Sequence, residues 1–222
     1  MSSNDIGDKD FADLLSLCHE IASDYPDSLV FIGGVAVYLH AINHEPTRAL
    51  AESTHDADFY ISLADMADLR DSEELTANRR LSKHQLVKRG FEFDIYTERH
   101  STLIVPYDQA IAHAVSYDRL KVMSIAHLIV LKLDAYGDRF ASTKGQKDAK
   151  DLIRLALISQ AQPSLFDAKV CADYLSDEHI KLLDRINKGA EFISLARGNA
   201  KQAKHLRKQF ANLANEIVDA AK

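Results

Sequence analysis

The chain has 222 residues, 46% of them apolar, and its 27 Lys and Arg against 33 Asp and Glu leave a net charge of −6. That length supports one large domain or two small ones with true cores, and the sparse Gly and Pro set disordered and fibrous classes aside. No apolar run is long enough for a membrane-spanning helix, the N-terminal MSSNDIGDKD is unlike a secretory signal, and the overall acidity argues against a general coat for nucleic acid.

In chain order, FADLLSLCHEIA (11–22) places Phe11, Leu14, Leu15, Cys18 and Ile21 on one helical stripe. SLVFIGG is a short β-prone run closed by Gly33 and Gly34, and VAVYLHAIN reads as a helix that starts at those glycines. The mixed, Pro46-containing stretch 44–53 reads as a loop, ADFYIS as a strand, and MADLRDSEEL as a helix. HQLVKR and FEFDIYT around Gly90 form a hairpin, with Phe91, Phe93 and Ile95 facing one way and Glu92, Asp94 and Tyr96 the other. STLIVP is expected as a further strand and DQAIAHAV as a short helix. From Ser124, a candidate N-cap, every segment is helix-like, so the expected architecture is an α/β (α+β) half with a small mixed sheet, residues 1–115, followed by an all-helical domain, residues 116–222. Cys18 and Cys171 lack metal-ligand spacing, and a reducing, cytoplasmic setting is expected.

Three features of the first half carry chemistry. Glycines between a strand and a helix let backbone N–H groups approach an anion at the helix start. Thr54, Asp56 and Asp58 form T-x-D-x-D at a strand entrance, where residues two apart project to the same side and share one ligand. Asp94, on another strand, faces away from an apolar side and is able to join them, with Glu92 as an alternative. Carboxylates beside a phosphate-cradling turn are what two-metal phosphoryl transfer needs, because hard divalent cations take oxygen ligands. Each feature also has a purely structural reading: a tight turn for the glycines, a solvated turn for the aspartates, a water-facing strand residue for Asp94. The order strand–GG–helix, T-x-D-x-D–strand, later D on a strand favours the site.

FIGGVAVYL (31–39), STHDADFYI (53–61), FDIYT (93–97), LKLDAYGDR (131–139) and KDAKDLIRL (147–155) together resemble the polymerase-β-like nucleotidyltransferase superfamily, and within it the AbiEii-type toxins of type IV toxin–antitoxin systems. The resemblance spans roughly residues 30–155. It implies a nucleotidyltransferase fold, two Mg²⁺ ions held by Asp56, Asp58 and Asp94, and an NTP bound through Gly33, Gly34 and Thr54 with Lys132 and Arg139 on its phosphates. Asp148 is the implied acid of the helical block, with Asp151 as its alternative. Lys132 and Arg139 equally suit internal pairing with helix acids. The chain departs from the family in Glu52, where a basic residue is usual, and in the long stretch between Gly34 and Asp56.

The resemblance further implies an RNA acceptor, a tRNA 3′ end, a toxin role in the cytoplasm and a partner antitoxin. Residues 181–208 hold eight Lys and Arg against Asp184 and Glu191, and Lys201, Lys204 and Lys208 share a helical face able to track a phosphate backbone. A protein side chain or a hydroxylated antibiotic is the other acceptor class, and a catalytically degenerate nucleotide- or protein-binding module the reading from outside enzymology. No P-loop, zincin or nucleophile-elbow motif occurs, and His40, His44 and His55 are expected in loops or at the surface. Tyr136 is expected to be a packing residue.

Overall fold

The computed structural model describes residues 3–99 and 101–222, and the chain divides into two compact units. The first unit runs to Asn43 and resumes over Ala51–Ser124. It comprises α1 (Ser3–Asp24), β1 (Val30–Ile32), α2 (Gly33–Ile42), β2 (Asp56–Ile61), α3 (Leu63–Ser72), β3 (Leu75–Asn78), β4 (Lys83–Lys88), β5 (Phe91–Thr97), α4 (Tyr107–Ala112), β6 (Val115–Tyr117) and β7 (Leu120–Val122). Among the described residues seven strands make one mixed sheet in the order β3-β4-β5-β2-β1-β7-β6.

Strand β1 is the sequence VFI, wholly buried, as befits a strand flanked by β2 and β7 and covered on both faces. β2 runs antiparallel to β1 and parallel to β5, with Ala57, Phe59 and Ile61 buried on one face. On that face Phe31, Phe59 and Phe93 stack edge to face at centroid distances of 5.8 and 6.4 Å. Helices α1 and α2 pack against the sheet and meet each other where Phe11 contacts Tyr38 at 4.5 Å. The hairpin β4–β5 turns through Arg89 and Gly90, both with positive φ (51° and 86°), which matches the twist of two-residue hairpins.

Several elements differ from expectation. Residues 101–106 form no strand. They run as a coil over the end of β2, where the Val105 carbonyl accepts a 2.7 Å hydrogen bond from the Tyr60 hydroxyl. β3 and the β6–β7 hairpin are unexpected strands. β3 and β6 are short edge segments with no buried residue, held by their pairing, whereas β7 lies inside the sheet between β1 and β6 and buries Leu120 and Val122. Because β7 lies parallel to β1, the first unit extends to Ser124, beyond the 115/116 join expected from the sequence. His40 is not a surface residue. It is fully buried on α2, where Nε2 donates to the Met123 carbonyl at 2.8 Å and Nδ1 therefore accepts from the Tyr117 hydroxyl at 2.9 Å.

The second unit joins His44–Leu50 to Ile125–Lys222. Glu45–Leu50 is a 3₁₀ helix rather than a loop, with Pro46 near its start and Thr47 buried, and it packs on α6. The unit is otherwise α5 (Ile125–Arg139), α6 (Thr143–Ala161), α7 (Ala168–Tyr174), α8 (Asp177–Asn187), α9 (Glu191–Leu195) and α10 (Ala200–Ala220). α5 is apolar almost all round and lies at the centre, with Tyr136 buried as expected and the Cys171 thiol donating to the Ala126 carbonyl. α10 is capped by Asn199 and buries Ala203, Leu206, Phe210, Leu213 and Ile217, while Lys201, Lys204 and Lys208 are exposed. Among the described residues no helix is long and apolar enough to cross a membrane.

Candidate active site

The sequence VFIGG places two glycines where β1 ends and α2 begins. Gly33 has φ +66°, and a Cβ at that position would stand 2.2 Å from Asp58 Oδ2. Two demands therefore converge on glycine here: a left-handed backbone and a carboxylate seated against its Cα. Gly34 is nearly as confined, since its Cβ would meet the Thr54 side chain at 3.1 Å. No side chain caps the start of α2, and no acid lies in its first turn. The helix thus presents backbone N–H groups and the positive end of its dipole beside Asp58.

Alternation along β2 puts Asp56 and Asp58 on the face opposite the phenylalanine layer, and β5 does the same for Glu92 and Asp94. The parallel register pairs Asp56 with Glu92 and Asp58 with Asp94. Neighbouring strands stand about 4.8 Å apart, so four carboxylates share a small patch. At an effective dielectric constant near 20, two like charges about 5 Å apart repel by roughly 3 kcal/mol. Local donors offset part of this. The buried Thr54 hydroxyl donates to Asp56 Oδ1 at 2.6 Å, so the threonine orients a carboxylate. Gln85 Nε2 donates to Asp94 Oδ1 at 3.1 Å, and Lys83 Nζ forms an ion pair with Asp94 Oδ2. Lys83 and Asp94 are both largely enclosed, with side chains 12% and 25% exposed. Beside Gln85 and Glu92 an open groove of about 280 Å³ is completed by Glu74, Thr76 and Val87 on the same sheet face.

Lys83 escaped the sequence reading, although a signal for it exists. A two-residue turn at Arg89–Gly90 sets Lys88 opposite Phe91, which in turn sets Gln85 opposite Asp94 and leaves Lys83 on the same face two residues along.

In the second unit, α5 and α6 carry the other expected residues. Lys132 is buried and bonds Asp148 Oδ1 at 3.3 Å and Asp151 Oδ2 at 2.7 Å. Arg139 Nε reaches Asp148 Oδ2 at 2.7 Å, and Arg154 reaches Asp151 Oδ1 at 2.9 Å. Lys132, Arg139 and Arg154 thus surround two buried carboxylates. Burial lowers the Arg154 pKa to about 10, still charged at neutral pH. Arg139 is the most open member, 42% exposed.

The oxygen donors of Asp56 and Asp58 suit a hard divalent cation, and the cradle at Gly33 holds one of them in place. Among the described residues, however, no group of three His, Cys, Asp or Glu is arranged ready to hold a metal. Asp94 stands in register with Asp58, but both of its oxygens are engaged by Lys83 and Gln85.

No protein-family model matches the chain, and no curated protein matches its sequence. Solved structures match its shape. An antigenic nucleotidyltransferase-like protein from Paracoccidioides brasiliensis superposes with a TM-score of 0.50 at 14% identity, over 88% of this chain and 93% of that one. A protein from H. pylori that carries the name nucleotidyltransferase gives 0.51 at 14% identity, over 99% and 98%. JHP933 from Helicobacter pylori gives 0.51 at 12% identity, over 99% and 95%. At such identity the likeness speaks to the fold: the chain has a nucleotidyltransferase-like architecture, a mixed sheet followed by helices, as the sequence led one to expect.

Proposed function

We propose that this chain is a nucleotidyltransferase that moves an NMP from an NTP to an acceptor hydroxyl. The observation that carries the reading is the Asp58 carboxylate seated on Gly33 at the uncapped start of α2, with Asp56 beside it and Asp94 in register on β5. An acidic patch next to a backbone anion cradle suits a triphosphate, whose oxygens would meet the N–H groups directly and the carboxylates through bridging cations. Two Mg²⁺ ions, held by Asp56 and Asp58 with Asp94, would neutralise the triphosphate and favour attack at its α-phosphorus.

The chain's own groups do the positioning. Gly33 and Gly34 N–H groups bind phosphate oxygens, and Thr54 fixes the Asp56 carboxylate. Asp94 takes the proton of the acceptor hydroxyl as the new P–O bond forms and the bond to pyrophosphate breaks. The sequence resemblance further assigns Lys132 and Arg139 to the phosphates, and within their own unit these two are held by Asp148 and Asp151. Exposed Lys201, Lys204 and Lys208 on α10 support an RNA acceptor, a tRNA 3′ end. The role as a toxin with a partner antitoxin rests on the AbiEii resemblance of the sequence.

The test supplies each labelled NTP in turn with Mg²⁺, total cellular RNA and protein, comparing wild type with an Asp56→Ala/Asp58→Ala variant. Label on RNA that vanishes in the variant supports the proposal. Equal labelling of the same species by both sinks the metal-site assignment, and label on protein or on small molecules redirects the acceptor.

A further inference from the structure

We propose that β3 is a docking edge for a second copy of this chain, which pairs with it antiparallel across a two-fold axis at Thr76. This surface lies at the margin of the sheet and is independent of the nucleotidyl-transfer reading above.

The open side of β3 follows from the hairpin beside it. The two-residue turn at Arg89–Gly90 makes Lys88 and Phe91 a hydrogen-bonded pair, so Lys88, Leu86 and His84 turn their backbone groups to β5. Gln85 and Lys83 then turn theirs to β3, where Thr76 and Asn78 stand opposite. That leaves Leu75 and Ala77 with N–H and C=O pointing away from the sheet. β3 is the terminal strand, and among the described residues no hydrogen bond reaches the backbone groups of these two. Thr76 and Ala77 are exposed, and the strand reads Leu-Thr-Ala-Asn, without the lysine or proline that commonly guards an edge.

The same strand is self-complementary. A residue at the edge bonds only with another whose backbone faces outward, so two-fold pairing sets Leu75 against the second copy's Ala77 and repeats that pair by symmetry, each exchanging both N–H···O=C bonds. Centring the axis on Leu75 or Ala77 instead would call on Glu73, whose N–H is held by the Leu69 carbonyl, or on Arg79, which has left the strand. With the axis at Thr76 the two threonines face each other, a favourable cross-strand pair. Asn78 comes opposite the second copy's Glu74, and because Asn78 Oδ1 already accepts from the Leu81 N–H, its amide remains to donate to that carboxylate. Charge agrees with this direction. Glu73 and Glu74 precede the strand and Arg79 follows it, so an antiparallel copy brings arginine to the acidic end of its neighbour, whereas a parallel copy would set acid against acid.

Sedimentation equilibrium of the full-length protein, from about 1 µM to about 1 mM, reads the association. Wild type is expected to pass from monomer to dimer, and Ala77→Pro, which removes an outward N–H and no bond to β4, to remain monomeric. Arg79→Glu is expected to shift association to higher concentration. Cysteine crosslinking reads the register, since Cys18 and Cys171 are buried. Facing Cα atoms at Thr76 would stand about 4.5 Å apart, within disulfide reach, so Thr76→Cys is expected to give a disulfide dimer under mild oxidation. Ala77→Cys is expected to stay uncrosslinked, because the axis staggers the two copies of that residue beyond the roughly 7 Å a disulfide spans. A wild type that is monomeric throughout, or a dimer that persists in Ala77→Pro, overturns the proposal. Crosslinking at Ala77→Cys and not at Thr76→Cys overturns the axis at Thr76. If Ala77→Pro loses its circular dichroism, Thr76→Cys decides: a dimeric wild type whose Thr76→Cys variant forms no disulfide overturns the β3 interface.

Discussion

At the scale of single residues, the site is decided by which side chains are small and which donate. Gly33 is the sharpest case, because its positive φ and the Asp58 oxygen leave no room for a methyl group. In Gly33→Ala the left-handed backbone alone costs about 1–2 kcal/mol, and Asp58 must move away from its seat. The expected result is a lowered urea midpoint and loss of Mn²⁺ binding at the Asp56–Asp58 pair. A variant that binds Mn²⁺ as wild type does would show that Asp58 does not need this seat. Thr54 also changes meaning at this scale: the sequence suggests a nucleotide contact, while the structure shows its hydroxyl holding Asp56.

At the scale of elements, two contacts bind neighbouring pieces through polar groups. His40 ties α2 to the end of β7 and to β6 through Met123 and Tyr117, and burial holds its pKa down to about 4 from the usual 6.5. Between those values the unfolded chain binds a proton that the folded chain refuses. This contribution is therefore fully present above pH 6.5 and is lost as pH falls toward 4, by as much as roughly 3 kcal/mol. Urea unfolding followed from pH 7 to pH 4 should show that loss, and His40→Gln should flatten it over the same interval. The second contact pairs α5 with α6, where Lys132 lies between Asp148 and Asp151. Lys132→Met takes a charged partner from two buried carboxylates at once, so it is expected to destabilise the protein by about 3–5 kcal/mol. A midpoint within experimental error of wild type would show that the cluster relaxes without its lysine.

At the scale of the whole molecule, the function proposed for the carboxylate patch opposes stability. Like charges on one sheet face repel, and an active site tolerates this where a scaffold would not. Asp56→Ala/Asp58→Ala should therefore fold with a thermal midpoint equal to or above that of wild type in metal-free buffer, while nucleotidyl transfer disappears. A clear drop in midpoint would mark the two aspartates as structural. The same variant thus separates a catalytic patch from a solvated turn, the two readings that T-x-D-x-D allows from sequence alone.

What the sequence by itself determined is local. The strand–GG–helix junction, the shared side of Asp56 and Asp58, the facing of Asp94 and the Arg89–Gly90 hairpin all follow from backbone geometry over a few residues, and each is found. The tertiary structure decided what depends on sheet order. Only the parallel pairing of β2 with β5 brings Asp94 beside Asp58, and only the pairing of β4 with β5 delivers Lys83 to Asp94. The same holds for the short β3 and β6–β7 strands and for the burial of His40 beneath β6–β7. Periodicity records which side a residue faces, and partners distant along the chain are set by long-range pairing that no local pattern encodes.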